Sequence, residues 1–515
     1  MLLAPHLVLI ASAVGVPHRV AVIGGGIAGL RCAQRLSQSD DCVVTLIEAA
    51  PQLGGRVQSD ITEDGFTLDR GFQVFLDAYP ESRACLDYAQ LDLRKFTAGA
   101  TIVQRRADSG TQRAWMTVAD PLREPKFLLP TLAFPLGSLA DKVRLVLAVV
   151  ALKLCNLDSI FAQDDVPLSV HLRERLRLSE EITGAFFTPF LRGIFLAPLQ
   201  EQSTILFEFV LKMFLEGSAC LPGAPGGIGA VPAMLARSIT EQTDVDGSCG
   251  STIQLSARVE TLHLQQPRHA VIKLVDGSAA PLYCDSVVVA TPRREAKRLL
   301  GDALFDASQS AGSSGDAGDA SDERAPLGSA CLYYALSHPP PVQDPILVLN
   351  GDLARNGNGS GNGAIINTLC FPSVVSPSYA PAGMHLASVS VVGEAVARGM
   401  GGLPGDEGKA ALERAVRKEL MAWFGAEEID QGRGGAGWRH LRTYVIDCAQ
   451  EARPPLGRVG RRASSGGDGF NRPPQVQGVS GVYVCGDHAA TPSLNGALRS
   501  GRLAAEAVLA DLEAT

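Results

Sequence analysis

The stretch HRVAVIGGGIAG, residues 18–29, decides the fold of this chain of 515 residues. His18 to Ile23 is a short apolar run rich in β-branched residues, which predicts a strand. The glycines follow immediately, and residues 30–36 after them have helical spacing. A strand, a glycine turn and a helix in this order are typical of a unit that binds a dinucleotide.

Each glycine of the G-x-G-x-x-G pattern has a physical task. Gly24 permits the tight turn, Gly26 lets the backbone approach a pyrophosphate, and Gly29 lets the helix pack closely on the strand. Ile27 and Ala28 lie at the start of the helix, where free N–H groups and the positive end of the helix dipole attract phosphate. We expect these residues to contact a dinucleotide.

A second strand, Val43 to Ile47, ends at Glu48, which lies 19 residues after Gly29. A carboxylate about 20 residues beyond the glycines binds the ribose hydroxyls in such units. Glu48 would also repel a 2′-phosphate, which disfavours NADP. The alternative is a glutamate that merely ends a strand.

Gly54, Gly55 and Arg56 follow Glu48 as E-x-x-x-x-x-G-G-R, and here the sequence resembles the flavin-containing amine oxidase superfamily. That superfamily includes phytoene desaturases and protoporphyrinogen oxidases. The resemblance implies that Gly55 contacts FAD and that Arg56 places a positive charge near the flavin or its phosphates. A surface salt bridge is the alternative for Arg56.

The resemblance continues in the segment Asp69-Arg70-Gly71-Phe72-Gln73. In the family this segment passes beside the flavin, so Gly71, Phe72 and Gln73 are further expected contacts. The stretch from Asp69 to Glu81 looks most like a poorly characterised branch of bacterial, cyanobacterial and plastid proteins.

A second signature lies near the C-terminus. Val482 to Cys485 predicts a strand, and Gly486-Asp487 follows it. In the family this motif contacts the ribityl and phosphate region of FAD. An alanine-rich helix comes next, and its dipole would stabilise negative charge on the reduced flavin. Its expected FAD contacts are Asn495, Gly496 and Ala497.

A third block, Ile253 to Ala290, alternates apolar and polar residues and predicts a β-meander with a turn at Asp276-Gly277. It resembles the sheet that follows the substrate insert in the family, in which the strand near Val259 offers backbone groups to the adenine. Residues 287–292 resemble the V-x-A-x-P strand end of the family.

The predicted fold class is α/β, a Rossmann-like FAD-binding domain with an inserted mixed α+β substrate domain. We expect the FAD-binding domain to comprise residues 17–97, 219–300 and 440–515, and the substrate domain to comprise residues 98–218 and 301–439. The remaining predicted features are a hairpin around Asp108-Ser109-Gly110, a long helical stretch from Phe127 to Leu215, strands at Leu332–Leu336 and Ala387–Val392, a helix at Glu407–Phe424, and polar insertions at 306–324 and 351–363.

Composition excludes several classes of protein. Apolar residues make up 46% of the chain and charged residues 19%, so it can bury a large core. The formal net charge of −8 does not indicate the basic surface that binding of nucleic acid requires. The 11 cysteines and nine histidines follow no metal-ligand spacing, so we expect no metal site, and a reducing compartment, cytoplasm or plastid, is favoured.

The sequence predicts no transmembrane helix. Residues 145–152 are strongly apolar but lie between Arg144 and Lys153, and a spanning helix needs about 20 residues. We expect instead that peripheral attachment to a membrane would use those two cations as headgroup anchors. Met1 to Pro17 contains no Lys or Arg, which disfavours a signal or transit peptide.

The expected function is dehydrogenation or desaturation of a small, hydrophobic, isoprenoid-like metabolite by hydride transfer to flavin N5. The first alternative is a flavin amine oxidase, although residues 486–501 contain no aromatic for an amine cage and the nearest upstream are Tyr444 and Trp438. The second is a non-catalytic protein like the GDP-dissociation inhibitors. His488 is read as a structural hydrogen-bonding residue, so no catalytic residue is assigned.

The electron acceptor is expected to be oxygen or a quinone. Only one complete G-x-G-x-x-G lies between a strand and a helix, and residues 226–229 follow Pro225 and indicate a loop, so no NAD(P)H site is predicted. The phenylalanine-rich insert is read either as the core of the substrate domain or as a channel for an apolar substrate.

Overall fold

A computed structural model describes residues 17–105, 113–120, 123–127, 129, 131, 133–241, 250–265, 269–275, 280–305, 327–353, 363–431, 437–457 and 473–514. Several predicted features lie outside these residues, namely the leader before Pro17, the turns at 108–110 and 276–277, the insertion at 306–324 and most of that at 351–363.

The described strands are β1 (His18–Ile23), β2 (Cys42–Ile47), β3 (Ser59–Ile61), β4 (Thr67–Asp69), β5 (Phe75–Leu76), β6 (Leu93–Lys95), β7 (Gly99–Arg105), β8 (Arg113–Ala119), β9 (Ala219–Pro222), β10 (Thr252–Gln254), β11 (Val259–Gln265), β12 (His269–Leu274), β13 (Leu282–Cys284), β14 (Ser286–Val289), β15 (Leu327–Leu336), β16 (Leu347–Asn350), β17 (Thr368–Cys370), β18 (His385–Val392), β19 (Arg439–Gln450) and β20 (Val482–Val484).

The described α-helices are α1 (Ile27–Leu36), α2 (Pro80–Cys85), α3 (Tyr88–Leu91), α4 (Leu139–Leu154), α5 (Leu157–Phe161), α6 (Leu168–Val170), α7 (Glu180–Ile182), α8 (Thr188–Phe195), α9 (Thr204–Glu216), α10 (Ala230–Thr240), α11 (Arg293–Leu300), α12 (Pro372–Val375), α13 (Glu394–Met400), α14 (Gly405–Phe424) and α15 (Leu494–Glu513).

A five-stranded parallel sheet carries the predicted dinucleotide unit. Its strand order is β10-β2-β1-β14-β20, so it collects strands from the beginning, the middle and the end of the described chain. The sheet is covered on both sides, as parallel sheets are. Along β14, Val288 packs on one side with α1, α10 and α15, whereas Val287 and Val289 pack on the other with the antiparallel sheet β11-β12-β13 and with α11.

A second, seven-stranded sheet has the order β19-β15-β18-β17-β16-β7-β8. Its strand pairs are antiparallel except β16 with β7, which are parallel. Helix α14 packs on it through Leu412, Val416 and Leu420. The helices between residues 139 and 216 form a further core of their own. The predicted fold class, α/β with an inserted α+β part, is confirmed.

The predicted helical stretch from Phe127 to Leu215 is wrong as a continuous element. The structure breaks it into α4 to α9, with π-helical turns at His171–Arg175 and Thr183–Phe187. Pro167 and Pro198 interrupt it, because proline has no N–H for the helical ladder. The apolar content of this stretch correctly predicted helices, but it did not predict where each helix begins and ends.

Two further boundaries need correction. The antiparallel meander is confined to β11, β12 and β13, because β10 and β14 at the ends of the predicted block pair in parallel with β2 and β1. The polar insertion predicted from 351 begins later, since Leu353 is buried and the carboxylate of Asp352 accepts a hydrogen bond from the backbone N–H of Arg105 at 3.1 Å.

The glycine sequence at 226–229 forms a 3-10 turn, Gly227–Gly229, that leads into α10. It is separated from β9 by residues 223–226, so it is not a second strand, glycine turn and helix unit. Among the described residues no helix is both long enough and apolar enough to cross a bilayer.

Gly501 tests the contact between α1 and α15. A methyl group added at Gly501 would lie 2.1 Å from the carbonyl oxygen of Ala28, which is backbone and has little room to move. We therefore expect Gly501→Ala to lower the free energy of unfolding by about 1–3 kcal/mol. Urea unfolding of both proteins measures the difference.

The control is Gly26→Ala, because a methyl group there meets no atom within 4 Å and the φ angle is −74°. When no ligand is bound to either protein, this variant should unfold at the same urea concentration as the original protein or slightly above it. Equal stability of the Gly501→Ala protein would mean that α1 and α15 are not in close contact.

Candidate dinucleotide site

The glycine turn is built so that its outer side is open. Gly24 has φ +112°, and a Cβ at this position would lie 2.7 Å from the carbonyl oxygen of Ala290. A Cβ at Gly29 would lie 1.9 Å from the carbonyl oxygen of Gly24. Gly26 differs, since no atom lies within 4 Å of an added Cβ. The free space lies in front of Gly26, next to Ile27 and Ala28 at the start of α1, as a phosphate site requires.

Glu48 lies at the end of β2, beside this turn. One carboxylate oxygen accepts a hydrogen bond from the N–H of Gly25 at 2.6 Å, and the other accepts from the N–H of Ala50 at 2.7 Å. These bonds fix the carboxylate. Each oxygen keeps a further lone pair, so Glu48 can still accept hydrogen bonds from two ribose hydroxyls.

The second glycine pair packs directly on the first turn. The N–H of Gly54 donates to the carbonyl of Gly25 at 2.8 Å. Gly54 and Gly55 have φ angles of +109° and +59°, which favour glycine. A Cβ at Gly55 would lie 3.3 Å from the Cα of Gly26. The motif that carries Arg56 therefore borders the open space at Gly26.

Arg56 forms an ion pair with Asp487, the residue of the C-terminal signature, at 2.7 Å. Asp487 is buried, and burial raises its pKa, but the charge and the hydrogen bond of Arg56 outweigh this and the pKa is lowered overall. The ion pair is partly exposed, because 40% of the Arg56 side chain but only 9% of the Asp487 side chain is accessible to solvent, and the role of Arg56 beside the flavin remains a prediction.

Gly71, Phe72 and Gln73 lie beside the same ion pair. The side-chain amide of Gln73 donates to the carbonyl oxygen of Arg56 at 2.7 Å. Gly71 has φ +99°, and a Cβ there would lie 2.8 Å from Ile446 on β19. Phe72 packs with the buried cluster under the second sheet. The structure thus brings the two N-terminal family motifs together.

The C-terminal residues surround the start of α15. Gly486 has φ +147°, and its N–H donates to the hydroxyl of Ser500 at 3.0 Å. A Cβ at Gly496 would lie 2.0 Å from the carbonyl oxygen of Thr491. Asn495 holds α2, since its side-chain oxygen accepts from the N–H of Glu81 at 3.0 Å. Ala497 packs against the core shared with α1.

Val259 is the first residue of β11 and is buried. Its carbonyl oxygen accepts a hydrogen bond from Arg298 at 2.8 Å. Two residues earlier, the N–H of Ala257 donates to the carbonyl of Glu48 at 2.8 Å. The start of this strand is therefore attached to the Glu48 end of β2. Binding of adenine by Val259 remains a prediction.

The segment Asp69-Arg70-Gly71-Phe72-Gln73 contains a buried carboxylate, Asp69. Its raised pKa was not predicted from the sequence. Asp69 accepts hydrogen bonds from Ser59 at 2.6 Å, from Tyr379 at 2.9 Å and from the N–H of Ile228 at 3.1 Å. A Cβ at Gly227 would lie 2.5 Å from its oxygen. Burial raises the pKa of Asp69 to about 6, and these hydrogen bonds oppose part of the rise.

A cavity lies between the helices of the first insert and the C-terminal motif. Arg453 in its wall donates to the carbonyl oxygens of Asp487 and His488, and this contact joins the cavity to the signature at Gly486. Six of its lining residues are Phe195, Leu206, Leu327, Gln450, Arg453 and Pro492. Arg453 lies outside every motif recognised in the sequence, so it was not predicted as a site residue.

His488 is buried, and its ring lies 6.0 Å from that of Phe305, measured between ring centroids. It lies beneath the Gly486 turn, where an added Cβ would meet its ring at 2.8 Å. This position agrees with a structural role. Among the described residues no group of three or more His, Cys, Asp or Glu side chains is arranged to hold a metal ion.

Asp69→Asn should change how stability depends on pH. The pKa of Asp69 in the folded protein lies above the unfolded value of about 3.9. The folded state therefore holds this proton more tightly, and the resulting stabilisation is complete below about pH 4 and is lost as the pH rises through 6. Asparagine has no such proton, so the free energy of unfolding of the variant, relative to the original protein, should rise by up to about 3 kcal/mol between pH 4 and 7.5.

Chemical unfolding at several pH values measures this difference. The control is Asp40→Asn, at an exposed position, carried through the same series of pH values. A constant or falling difference for Asp69→Asn would contradict the raised pKa.

A family model described as flavin containing amine oxidoreductase matches residues 27–509. The carotenoid phi-ring synthase of Streptomyces griseus is 30% identical over 217 residues, which are 40% of this chain and 41% of that protein. The coproporphyrinogen III oxidase of Bacillus subtilis (strain 168) is 26% identical over 193 residues, 36% of this chain and 38% of that protein. The chain thus spans about two fifths of the length of the curated relatives it matches.

Solved structures with the same fold include an oxidoreductase from Methanosarcina mazei, with a TM-score of 0.61, 18% identity and coverage of 96% of this chain and 100% of that one. Another is the cyclohexylamine oxidase of Brevibacterium oxydans IH-35A, with a TM-score of 0.57, 16% identity and coverage of 97% and 100%. Since the family model extends from the first helix to the last, the chain belongs to the flavin-containing amine oxidoreductase family.

Proposed function

We propose that the chain dehydrogenates or desaturates a small hydrophobic metabolite of isoprenoid character. The observation that supports this best is the contact between the apolar helical insert and the C-terminal signature. Phe195 and Leu206 belong to the apolar core of the insert, and they line the same small cavity as Pro492, which directly precedes the cap of α15. That cavity has a volume of about 20 Å³, so a substrate could contact these apolar side chains and the signature only if the walls moved apart.

FAD fits the residues that surround the open space at Gly26. The start of α1 would hold the pyrophosphate, Glu48 the ribose of the adenosine half, and the start of α15 the flavin end. Arg56 and Asp487 would lie between these ends, because their ion pair joins the two signatures. FAD, when bound, supplies the acceptor of two electrons at flavin N5.

The side chains of the chain itself would bind and orient the substrate. The cavity wall is mixed, because Phe195, Leu206 and Pro492 are apolar whereas Gln450, Glu451 and Arg453 are polar, so the preference for an apolar carbon skeleton rests on the core of the helical insert. Glu451, which also lines the cavity, has its pKa raised by burial and by the neighbouring charge of Asp487. No residue is assigned as a general base, because oxidation by hydride transfer depends first on orientation.

The names of the relatives agree with a substrate that is not a simple amine. One is named for a carotenoid ring and the other for coproporphyrinogen III. An amine oxidase remains the second candidate, since a structure of similar fold is named for cyclohexylamine. The inhibitor-like, non-catalytic interpretation is set aside, because the chain belongs to a family of flavin-containing oxidoreductases.

Gly26→Ala tests the proposed position of the pyrophosphate. The added methyl group fits the free protein without contact, but it would occupy the space in front of the turn. We expect affinity for FAD to fall at least about tenfold, or roughly 1.4 kcal/mol, without loss of stability in the free protein. Titration of the apoprotein with FAD measures the affinity, and an unchanged value would mean that the pyrophosphate binds elsewhere.

The substrate class is tested by mixing the oxidised holoprotein with candidate compounds in the absence of oxygen. Isoprenoids should bleach the flavin absorbance, and small polar amines should not. NADH and NADPH should reduce the flavin only slowly, since one glycine turn serves one dinucleotide. Reduction by an amine alone would support the amine oxidase alternative, and rapid reduction by NADH would reveal a nicotinamide site.

A further inference from the structure

Helix α4 presents a row of large apolar side chains to solvent. Their exposed fractions lie between 49% and 83%, although most apolar residues of a folded protein are covered. Of the 13 exposed large apolar residues identified in the described chain, six lie on this one helix, so the exposure is concentrated there. The six are Leu139, Val143, Val146, Leu147, Val150 and Leu154.

The six residues form one face of the helix. At about 100° of rotation per residue they fall within an arc of about 100°, along a helix roughly 24 Å long. The opposite face carries Leu145 and Leu152, which pack into the core of the insert. Within the apolar run 145–152 the two terminal leucines therefore face inward, whereas Val146, Leu147 and Val150 face solvent.

The charges of α4 are arranged around this face. Lys142 and Lys153 lie on one side of the apolar row and Arg144 lies on the other, by the same helical geometry. The acidic residue of the helix, Asp141, is 1% exposed and accepts hydrogen bonds from Ser138 and Ser179. Arg144 lies 3.6 Å from Asp141 and Lys142 donates to the carbonyl oxygen of Phe134, so the helix carries a net charge of +2, with Lys153 the exposed cation, on a chain whose net charge is −8.

This arrangement favours one kind of partner over another. If two copies met through α4 about a twofold axis, the rim of the contact would bring cations against cations, which costs affinity. Anionic lipid headgroups would instead neutralise Lys142 and Lys153, while the acyl chains received the apolar row. A helix of 16 residues is too short to cross the bilayer, so it would lie along the surface.

We propose that α4 attaches the protein to the surface of an anionic lipid bilayer, with its six exposed apolar side chains in the acyl region. The proposed attachment involves the side chains of α4 alone. Membrane attachment could also deliver an apolar substrate, because the inner face of α4 packs on the same core that supplies Phe195 and Leu206 to the cavity. This second role rests on the proposed function.

Flotation of the full-length holoprotein with lipid vesicles tests the attachment. Vesicles of equal parts phosphatidylcholine and phosphatidylglycerol should carry the protein upward in a density gradient, and vesicles of phosphatidylcholine alone should carry less. Leu147→Glu should lower the vesicle partition coefficient at least tenfold. The matched control is Ile61→Glu, since Ile61 is 66% exposed and Leu147 is 63% exposed. The control should float like the original protein.

Flavin content verifies that each variant is folded. If Leu147→Glu fails this check, Lys153→Glu replaces it and should abolish the preference for phosphatidylglycerol. Absence of flotation with both kinds of vesicle, or equal loss in the Ile61→Glu control, would overturn the proposal. So would a dimer in size-exclusion chromatography that Leu147→Glu dissociates while the protein fails to float. Flotation measures the position of the protein in the gradient and needs no substrate, so the attachment can be observed even if no isoprenoid reduces the flavin.

Discussion

The close approach of α1 to the backbone around it is the constraint on which the rest of the structure depends. Gly29 and Gly501 both lie where a methyl group would meet a carbonyl oxygen at about 2 Å. Because both are glycine, the backbone of α1 meets the turn after β1 at Gly29 and meets α15 at Gly501 with no side chain between them at these two points. This contact brings Gly486 and Asp487 to the Gly55 and Arg56 side of the first turn, and the Arg56–Asp487 ion pair then closes the site.

The parts of the fold that depend on local pattern could be predicted from the sequence. The strand, glycine turn and helix at 18–36 could be predicted because three signals within a few residues indicate the same unit. These signals are the spacing of the apolar residues, the spacing of the glycines and the start of the helix. The strand and helix at the C-terminus were predicted for the same reason. The insert was not, because its phenylalanines and leucines mark burial but do not fix where one helix ends and the next begins.

The motifs of the site could be predicted from the sequence, but the contacts between those motifs could not. The sequence named Arg56 and Asp487 separately, 431 positions apart, and only the folded chain shows them as a pair. Asp69 and Arg453 depend on partners from distant elements, Tyr379 in one case and the carbonyls near His488 in the other. Such contacts have no local signal, since burial and pairing arise from tertiary packing.

The order of strands in the parallel sheet has a consequence for biosynthesis. Strand β20, the last of the described strands along the chain, forms an edge of the sheet whose centre, β1, is the first of them. The nascent chain therefore exposes the unpaired side of β14 and the apolar face of α1 until residues 482–513 emerge. Such a topology closes long loops late and folds slowly, so the cofactor can be captured only after residues 482–513 have been synthesised.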